Sequence, residues 1–199
     1  MQTKMGLRKN ILSRANRMRE LSALSGLNAR INARLIQHLK TRGGVWGAFV
    51  ALPSEPDLSP CYEILKNQIQ FVFPKVMGHE IDFYLSNQDF EKTQMGIQEP
   101  RSHEKVFASQ LDGLLIPGVA FDLQANRLGR GRGFYDRFLK RSHAEKIGVC
   151  FGFQTLRENL EVESHDEKMD ALMTDKFCLK FTSSRKHFDS SRFSERNFL

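Results

Sequence analysis

Residues Asp112–Leu139 read DGLLIPGVAFDLQANRLGRGRGFYDRFL, and this stretch decides the fold class. Leu111 to Ile116 is a short, continuous apolar run, the pattern of a strand buried on both faces. Pro117-Gly118 turns the chain. Further on, Arg127-Leu128-Gly129-Arg130-Gly131-Arg132-Gly133 runs into Phe134 to Lys140, which reads as a helix. The unit is strand, loop, helix, and the same grammar repeats outward. Val45 to Leu52, bounded by Gly43-Gly44 and Pro53, is predicted as a buried strand, as are Ile69 to Phe73 and Ile147 to Phe151. Ile81 to Leu85 alternates and is predicted at a sheet edge. Leu7, Ile11, Ala15, Met18 and Leu21 recur at helical spacing, and Leu27, Ile31, Leu35 and Leu39 repeat it after Ser25-Gly26. Ser59-Pro60 supplies a cap and a first-turn proline for a further helix over Cys61 to Leu65. Strands alternating with helices predict an α/β fold, a three-layer α/β/α sandwich with a mostly parallel sheet. In such folds the chemistry sits at the carboxyl ends of the strands.

A chain of 199 residues can bury roughly 70% of its unfolded surface, so one domain over residues 1–182 is expected. Residues 183–199 are rich in Ser, Arg and Phe, lack periodicity and have the composition of a disordered tail. No stretch approaches ~18 consecutive apolar residues and no signal-peptide pattern opens the chain, so a soluble, cytoplasmic protein without membrane contact is expected, as a monomer. Cys61, Cys150 and Cys178 form no CxxC pair and are expected as buried thiols. The net charge of +7 is unevenly spread. Residues 1–42 carry ten basic residues against Glu20 alone, whereas residues 43–175 carry fourteen against twenty acids. A basic helix pair of this kind holds RNA, holds a polyphosphate, or is simply solvated.

The chemistry concentrates in Arg127 to Gly133. Alternate glycines remove the side chains that would keep a ligand off the main chain, so backbone N–H groups can close on phosphate oxygens. A helix start behind them adds its positive end. Arg127, Arg130 and Arg132 can add charge-assisted hydrogen bonds, and Asp136, one turn into the helix, can take a magnesium ion. The loop is neither a GxGxxG fingerprint, because Phe134 stands where the last glycine belongs, nor a Walker loop, because no Gly-Lys-Ser/Thr follows. Two other readings stay open: a tight strand-to-helix turn with solvated arginines, and an arginine-glycine RNA-binding segment, which the single short copy disfavours.

These residues resemble the 5-formyltetrahydrofolate cyclo-ligases, also called methenyltetrahydrofolate synthetases, and the likeness extends through most of the chain. The first helix carries the family's Lys-x-x-Leu-Arg as Lys4, Leu7 and Arg8. Glu55-Pro56-Asp57-Leu58 stands where the family has Glu-x-Asp-Thr. Pro74-Lys75-Val76 and Met95-Gly96-Ile97-Gln98-Glu99-Pro100 are similar to two short family turns. Pro117 to Arg137 is similar to its long Pro-Gly, Phe-Asp, Arg-Leu-Gly, Gly-x-Gly-x-Tyr-Asp-Arg block. Gly152-Phe153-Gln154 and His165-Asp166-Glu167-Lys168-Met169-Asp170 follow in the family's order. Leu58, Ala125 and Phe134 depart from the usual threonine, glycine and tyrosine.

The resemblance implies a fold similar to the NagB/RpiA/CoA-transferase-like fold and conversion of 5-formyltetrahydrofolate to 5,10-methenyltetrahydrofolate at the expense of ATP, with Mg²⁺. It implies ATP contacts at Lys4, Arg8 and Arg127, Leu128, Gly129, Arg130, Gly131, Arg132, Gly133, Phe134 and Tyr135. Folate contacts are implied at Arg8, Leu52, Glu55, Asp57 and the Arg130 to Phe134 segment. Asp136 and Asp166 are implied as magnesium ligands, and Arg132 and Lys4 as the catalytic cations. Such a transfer needs positioning and charge neutralisation rather than a Ser/His/Asp triad. Trp46 is expected in the core. The six histidines show no paired spacing, and His165 beside Asp166 is expected to be structural. A competing class is an RNA-binding module built on the basic helices. Another is a sugar-phosphate isomerase or acyl-CoA transferase relative on the same fold.

Overall fold

The computed structural model describes residues 3–86, 89–93, 96–163 and 166–181. Met95, His165 and the tail from residue 183, on which expectations were placed above, lie outside the described residues. Two helices open the chain, α1 (Lys4–Glu20) and α2 (Leu24–Leu39). They are followed by β1 (Val45–Gly47), α3 (Ser59–Leu65), β2 (Gln70–Met77), β3 (Glu80–Leu85), β4 (Phe90–Lys92), β5 (Gln98–Pro100) and β6 (Lys105–Val106). The second half contains β7 (Gly113–Pro117), β8 (Ala120–Asp122), β9 (Arg127–Leu128), α4 (Phe134–Leu139), β10 (Glu145–Val149), β11 (Thr155–Leu156), β12 (Ala171–Met173) and β13 (Cys178–Lys180).

The main sheet has eight strands in the order β13-β12-β10-β7-β1-β2-β3-β6. Its centre, β12 through β2, is parallel, and antiparallel pairs flank it on both sides. Successive side chains of a strand point to opposite faces, and here both faces are dry. On β2, Phe71 and Phe73 enter one core with Trp46, Leu115, Ile147 and the α2 residues Ile31, Leu35 and Leu39. Val72 enters the opposite core with Phe83, Leu114, Ile116 and the α4 residues Phe138 and Leu139. That double burial is why the inner strands read as continuous apolar runs, and it produces the three layers. Trp46 is 1% exposed, and burying a side chain of that size stabilises the fold by roughly 3 kcal/mol.

Helix α1 sends Met18 to the α2-side core but otherwise packs elsewhere. Its Ile11 joins Val119, Ala120, Leu128 and Leu160 in a separate cluster over a small sheet of order β11-β8-β9.

Several expectations need correction. The strand predicted over Val45 to Leu52 ends at Gly47, because Phe49 turns out of the ladder to Tyr62 of α3. There the Phe49 N–H meets the phenol oxygen at 3.4 Å and the phenol donates to the Phe49 carbonyl at 3.0 Å. β3 is not the sheet margin, since β6 pairs outside it. Ser25-Gly26 does not precede α2 but lies within it. Leu21, read as the last member of the first helical repeat, sits past the end of α1 as its C-cap and is 72% exposed. Ser59 is the first residue of α3, not its cap, and Asp57 Oδ1 takes its N–H at 3.0 Å. Cys61 and Cys150 are buried, but Cys178 is exposed on the short outer strand β13. Among the described residues no helix is long and apolar enough to cross a membrane.

Candidate active site

A cavity of about 230 Å³ opens at the carboxyl ends of the parallel strands. The segment after β1 contributes Phe49, Val50, Leu52 and Glu55, and the β2–β3 hairpin contributes Pro74, Val76 and Ile81. Gln98 and Glu99 of β5 close one side, and Pro117 with Gly118 form the floor after β7. The remaining wall is the glycine-arginine loop and the start of α4: Arg127, Gly129, Arg130, Arg132, Gly133, Phe134, Tyr135 and Asp136.

The loop takes its shape from its glycines and from a buried carboxylate beneath it. Gly131 and Gly133 have φ of 96° and 66°, a region that favours glycine. Ala125 also has a left-handed φ of 71°, in the turn where the family pattern has glycine. That turn is pinned by Asp122, 0% exposed, whose two oxygens accept from the N–H groups of Gln124, Asn126 and Leu160 and from Asn126 Nδ2, at 2.8–2.9 Å. From the other side Arg8 Nε donates to the Gly129 carbonyl at 2.8 Å. Helix α4 has six residues and no side-chain cap, so its dipole contributes less than a long helix would.

Two ion pairs organise the charges. Arg127 Nη2 meets Asp136 Oδ1 at 2.5 Å, with Arg127 also stacked 5.5 Å over the Tyr135 ring. Arg130 Nε donates to Glu55 Oε1 at 3.1 Å and its Nη2 to Ser54 Oγ at 2.7 Å, while Glu55 Oε2 accepts from the Leu52 N–H at 3.0 Å. The Glu55 loop and the glycine loop are thereby joined. Buried Gln154 ties the same region together, its Nε2 reaching the Val119 carbonyl at 3.1 Å and its Oε1 taking the Phe151 N–H at 2.9 Å. Burial, with the nearby Glu55 charge, pushes the Tyr135 phenol well above its usual range, so it stays protonated at neutral pH. Arg132, exposed at the cavity rim, has no side-chain hydrogen bond or ion pair among the described residues.

Of the residues singled out in the sequence, Leu52, Glu55, Arg127, Gly129, Arg130, Arg132, Gly133, Phe134, Tyr135 and Asp136 all meet on this wall. Leu128 is buried behind it, and Gly131 lies beside the Arg8 guanidinium. Asp57 is not on the wall; it lines a neighbouring cavity. Lys4 and Asp166 are also off it: Lys4 Nζ sits 2.8 Å from Glu163 and 3.9 Å from Asp166, whose Oδ2 accepts from the Glu163 N–H at 2.9 Å. The two expected magnesium carboxylates thus engage different partners. Among the described residues no group of three or more His, Cys, Asp or Glu is arranged around a metal position.

Two positioning residues escaped the sequence reading. Asn32, 5% exposed on α2, donates to the Asp57 carbonyl at 2.8 Å and accepts from the Cys61 N–H at 3.0 Å, while Asn28 Oδ1 takes the Asp57 N–H at 3.1 Å. A polar residue on the apolar stripe of α2 was the available signal.

The profile of the 5-formyltetrahydrofolate cyclo-ligase family matches residues 1–175. The chain belongs to this family. Among solved structures, this cyclo-ligase-family chain is similar to a 5,10-methenyltetrahydrofolate synthetase from Aquifex aeolicus. The TM-score is 0.77 and the identity 30%, covering 96% of this chain and 99% of that one. It is also similar to a 5,10-methenyltetrahydrofolate synthetase from Mycoplasma pneumoniae, with a TM-score of 0.72 and 28% identity over 86% of this chain and 98% of that one. A probable 5-formyltetrahydrofolate cyclo-ligase of Schizosaccharomyces pombe is 33% identical over 123 residues, which span 51% of this family member and 59% of the relative.

Proposed function

We propose that this chain converts 5-formyltetrahydrofolate to 5,10-methenyltetrahydrofolate, using ATP and releasing ADP and phosphate. The observation that carries the reading is one cavity wall on which the Glu55 carboxylate and the glycine-arginine loop meet, with Arg132 beside it and its side chain unpaired among the described residues. A pterin ring presents N–H donors that a buried carboxylate such as Glu55 can accept. The loop supplies glycines and guanidinium groups suited to phosphate oxygens.

In the proposed sequence the formyl oxygen attacks the γ-phosphorus and ADP leaves, giving a phosphorylated imidate. The folate N10 then attacks the formyl carbon and loses its proton. Cleavage of the carbon–oxygen bond releases phosphate and leaves the methenyl bridge between N5 and N10. Arg132 neutralises charge on the transferring group, Arg130 and the loop glycines hold the phosphates, and Arg8, bonded to the Gly129 carbonyl, with Lys4 one turn before it on α1, adds positive charge. Magnesium is held by one or two carboxylates together with phosphate oxygens; Asp136 on the wall would hold it, and Asp166, now engaged with Lys4 and the Glu163 N–H off the wall, would join it only by leaving those partners. When bound, the ion would neutralise charge on the phosphates. We assign the activity to a cytoplasmic monomer.

The test is incubation with 5-formyltetrahydrofolate and Mg-ATP while following the near-ultraviolet absorbance of the methenyl product. Growth of that band only in the complete mixture is the expected result; folded protein giving none sinks the proposal. Arg132→Ala should lower turnover by orders of magnitude with the fold intact, and near-normal turnover would refute its role.

A further inference from the structure

Arg137, in the middle of α4, turns its side chain back towards the start of its own helix. Its Nη2 donates to the carbonyl of Arg132 in the glycine loop, at 2.9 Å, and to the carbonyl of His79 in the turn of the β2–β3 hairpin. The guanidinium also lies 5.6 Å over the Phe134 ring. The two carbonyls belong to different walls of the cavity described above. Val76 and Ile81 line it on either side of the hairpin turn, and Arg132, Gly133 and Phe134 line it from the loop and the helix start. One side chain therefore joins the two walls.

The backbone around Arg137 suits the contact. Gly133 has φ of 66°, and a β carbon there would stand 2.7 Å from Arg137 Nη1, so another residue would displace the guanidinium. Gly78, with φ of 64°, permits the tight turn between paired Met77 and Glu80 that offers the His79 carbonyl. Arg141, one turn further along α4, supplies a comparison. Its Nη2 donates to the Ile81 carbonyl and to Asp82 Oδ1, both at 2.7 Å, and its Nη1 to Glu80 Oε2 at 3.1 Å. Among the described residues its side-chain hydrogen bonds all go to β3. Arg141 already fastens α4 to the hairpin, so what Arg137 adds is the grip on the loop.

A planar trans peptide points its C=O and N–H in opposite directions. Holding the Arg132 carbonyl thus fixes the direction of the Gly133 N–H and the main chain from which the Arg132 side chain departs. We propose that Arg137 is a positioning residue, which aims the Gly133 amide and the Arg132 guanidinium at the transferring phosphoryl group by clamping the glycine loop to the β2–β3 hairpin. The inference rests on the cyclo-ligase reading. Arg137 touches no reacting atom in it and acts through the loop. Its bonds are solvent-exposed, and exposed charged contacts add little to global stability. A misplacement of about 1 Å at a reacting centre, by contrast, costs up to about 100-fold in rate.

Arg137→Met keeps an unbranched stem over Phe134 and deletes every donor. It should lower kcat about 10-fold and raise KM for ATP about 5-fold, with KM for 5-formyltetrahydrofolate and the thermal midpoint close to wild type. Arg137→Lys, whose ammonium still reaches one carbonyl, should recover part of the lost kcat. Arg141→Met, which frees the hairpin and not the loop, should lower the midpoint and leave kcat near wild type. Trypsin reads the clamp without turnover, since it cuts after arginine. Cleavage of the folded protein after Arg130 and Arg132, followed by mass spectrometry, should be several-fold faster in Arg137→Met than in wild type or Arg141→Met. Unaltered kcat in Arg137→Met overturns the positioning role. So does unaltered loop cleavage, or a rate loss that only tracks the midpoint across the three variants. If wild type turns over no 5-formyltetrahydrofolate, the cyclo-ligase reading fails, and the cleavage comparison decides the clamp by itself.

Discussion

Arg127 and Asp136 face each other across the start of α4, Nη2 to Oδ1 at 2.5 Å, with side chains 5% and 18% exposed. The guanidinium has little else: Nη1 reaches the Pro117 carbonyl at 3.4 Å, and Nε is buried without a hydrogen-bond partner among the described residues. Removing one member of a buried pair strands the other charge. Asp136→Asn should therefore destabilise the fold by on the order of 3 kcal/mol, measured by urea denaturation, in addition to any loss of turnover. A variant as stable as wild type would show that the pair carries no structural load. If Asp136 also holds the ion, the increase in melting midpoint that Mg-ATP gives wild type should shrink in Asp136→Asn.

On the proposed reading Glu55 serves recognition more than stability. The Glu55 side chain is 7% exposed but its partner Arg130 is 40% exposed, and solvent at the arginine screens the pair towards the roughly 1 kcal/mol of surface ion pairs. A hydrogen bond to a charged group is worth roughly 1.5–3 kcal/mol, so Glu55→Gln should raise KM for 5-formyltetrahydrofolate about 10- to 100-fold with little change in denaturation midpoint. Steady-state kinetics decide it. An unaltered KM would remove Glu55 from the folate site.

Ala125 pays for its left-handed φ of 71° while burying its methyl group, 4% exposed, in the core under the glycine loop. Relief of about 1–2 kcal/mol of strain in Ala125→Gly is offset by glycine's entropy and by about 0.8 kcal/mol of lost methyl burial. The expected net change is within about 1 kcal/mol, whereas Ala125→Val should cost more than about 2 kcal/mol because a β-branched residue resists this region. Chemical denaturation of both variants tests the pair; a large loss in the glycine variant would contradict the strain.

His38, in the last turn of α2, has its pKa lowered from 6.5 by burial and then by Arg42, with Glu145 opposing and Lys180 adding to the shift. The unfolded chain takes up the proton near pH 6.5 and the folded chain only below it. Stability is therefore full above that pH and falls as pH drops from there towards the folded pKa. The fall in melting midpoint between about pH 7.5 and about pH 5.5 should be smaller in His38→Asn than in wild type. Equal falls would count against the shift.

The local pattern of the chain determined more of this protein than its marginal motifs suggest. Apolar runs at Ile69 to Phe73, Leu111 to Ile116 and Ile147 to Phe151 can be satisfied only by strands buried on both faces, so a parallel sheet between helix layers was legible. The glycine-arginine block, which lines the cavity, stood out because the spacing of glycines and charges is a property of neighbours in sequence. The tertiary structure decided what depends on distant segments. The order β7-β1-β2 brings Pro117, Phe49 and Pro74 around one opening, and no local pattern encodes that order. It decided that Arg130 meets Glu55 across 75 residues and that Arg127 turns to Asp136. It also decided that Asp57 faces the second cavity rather than the first. Propensity and periodicity act over a few residues; which charge finds which partner is settled by where the sheet delivers the strand ends.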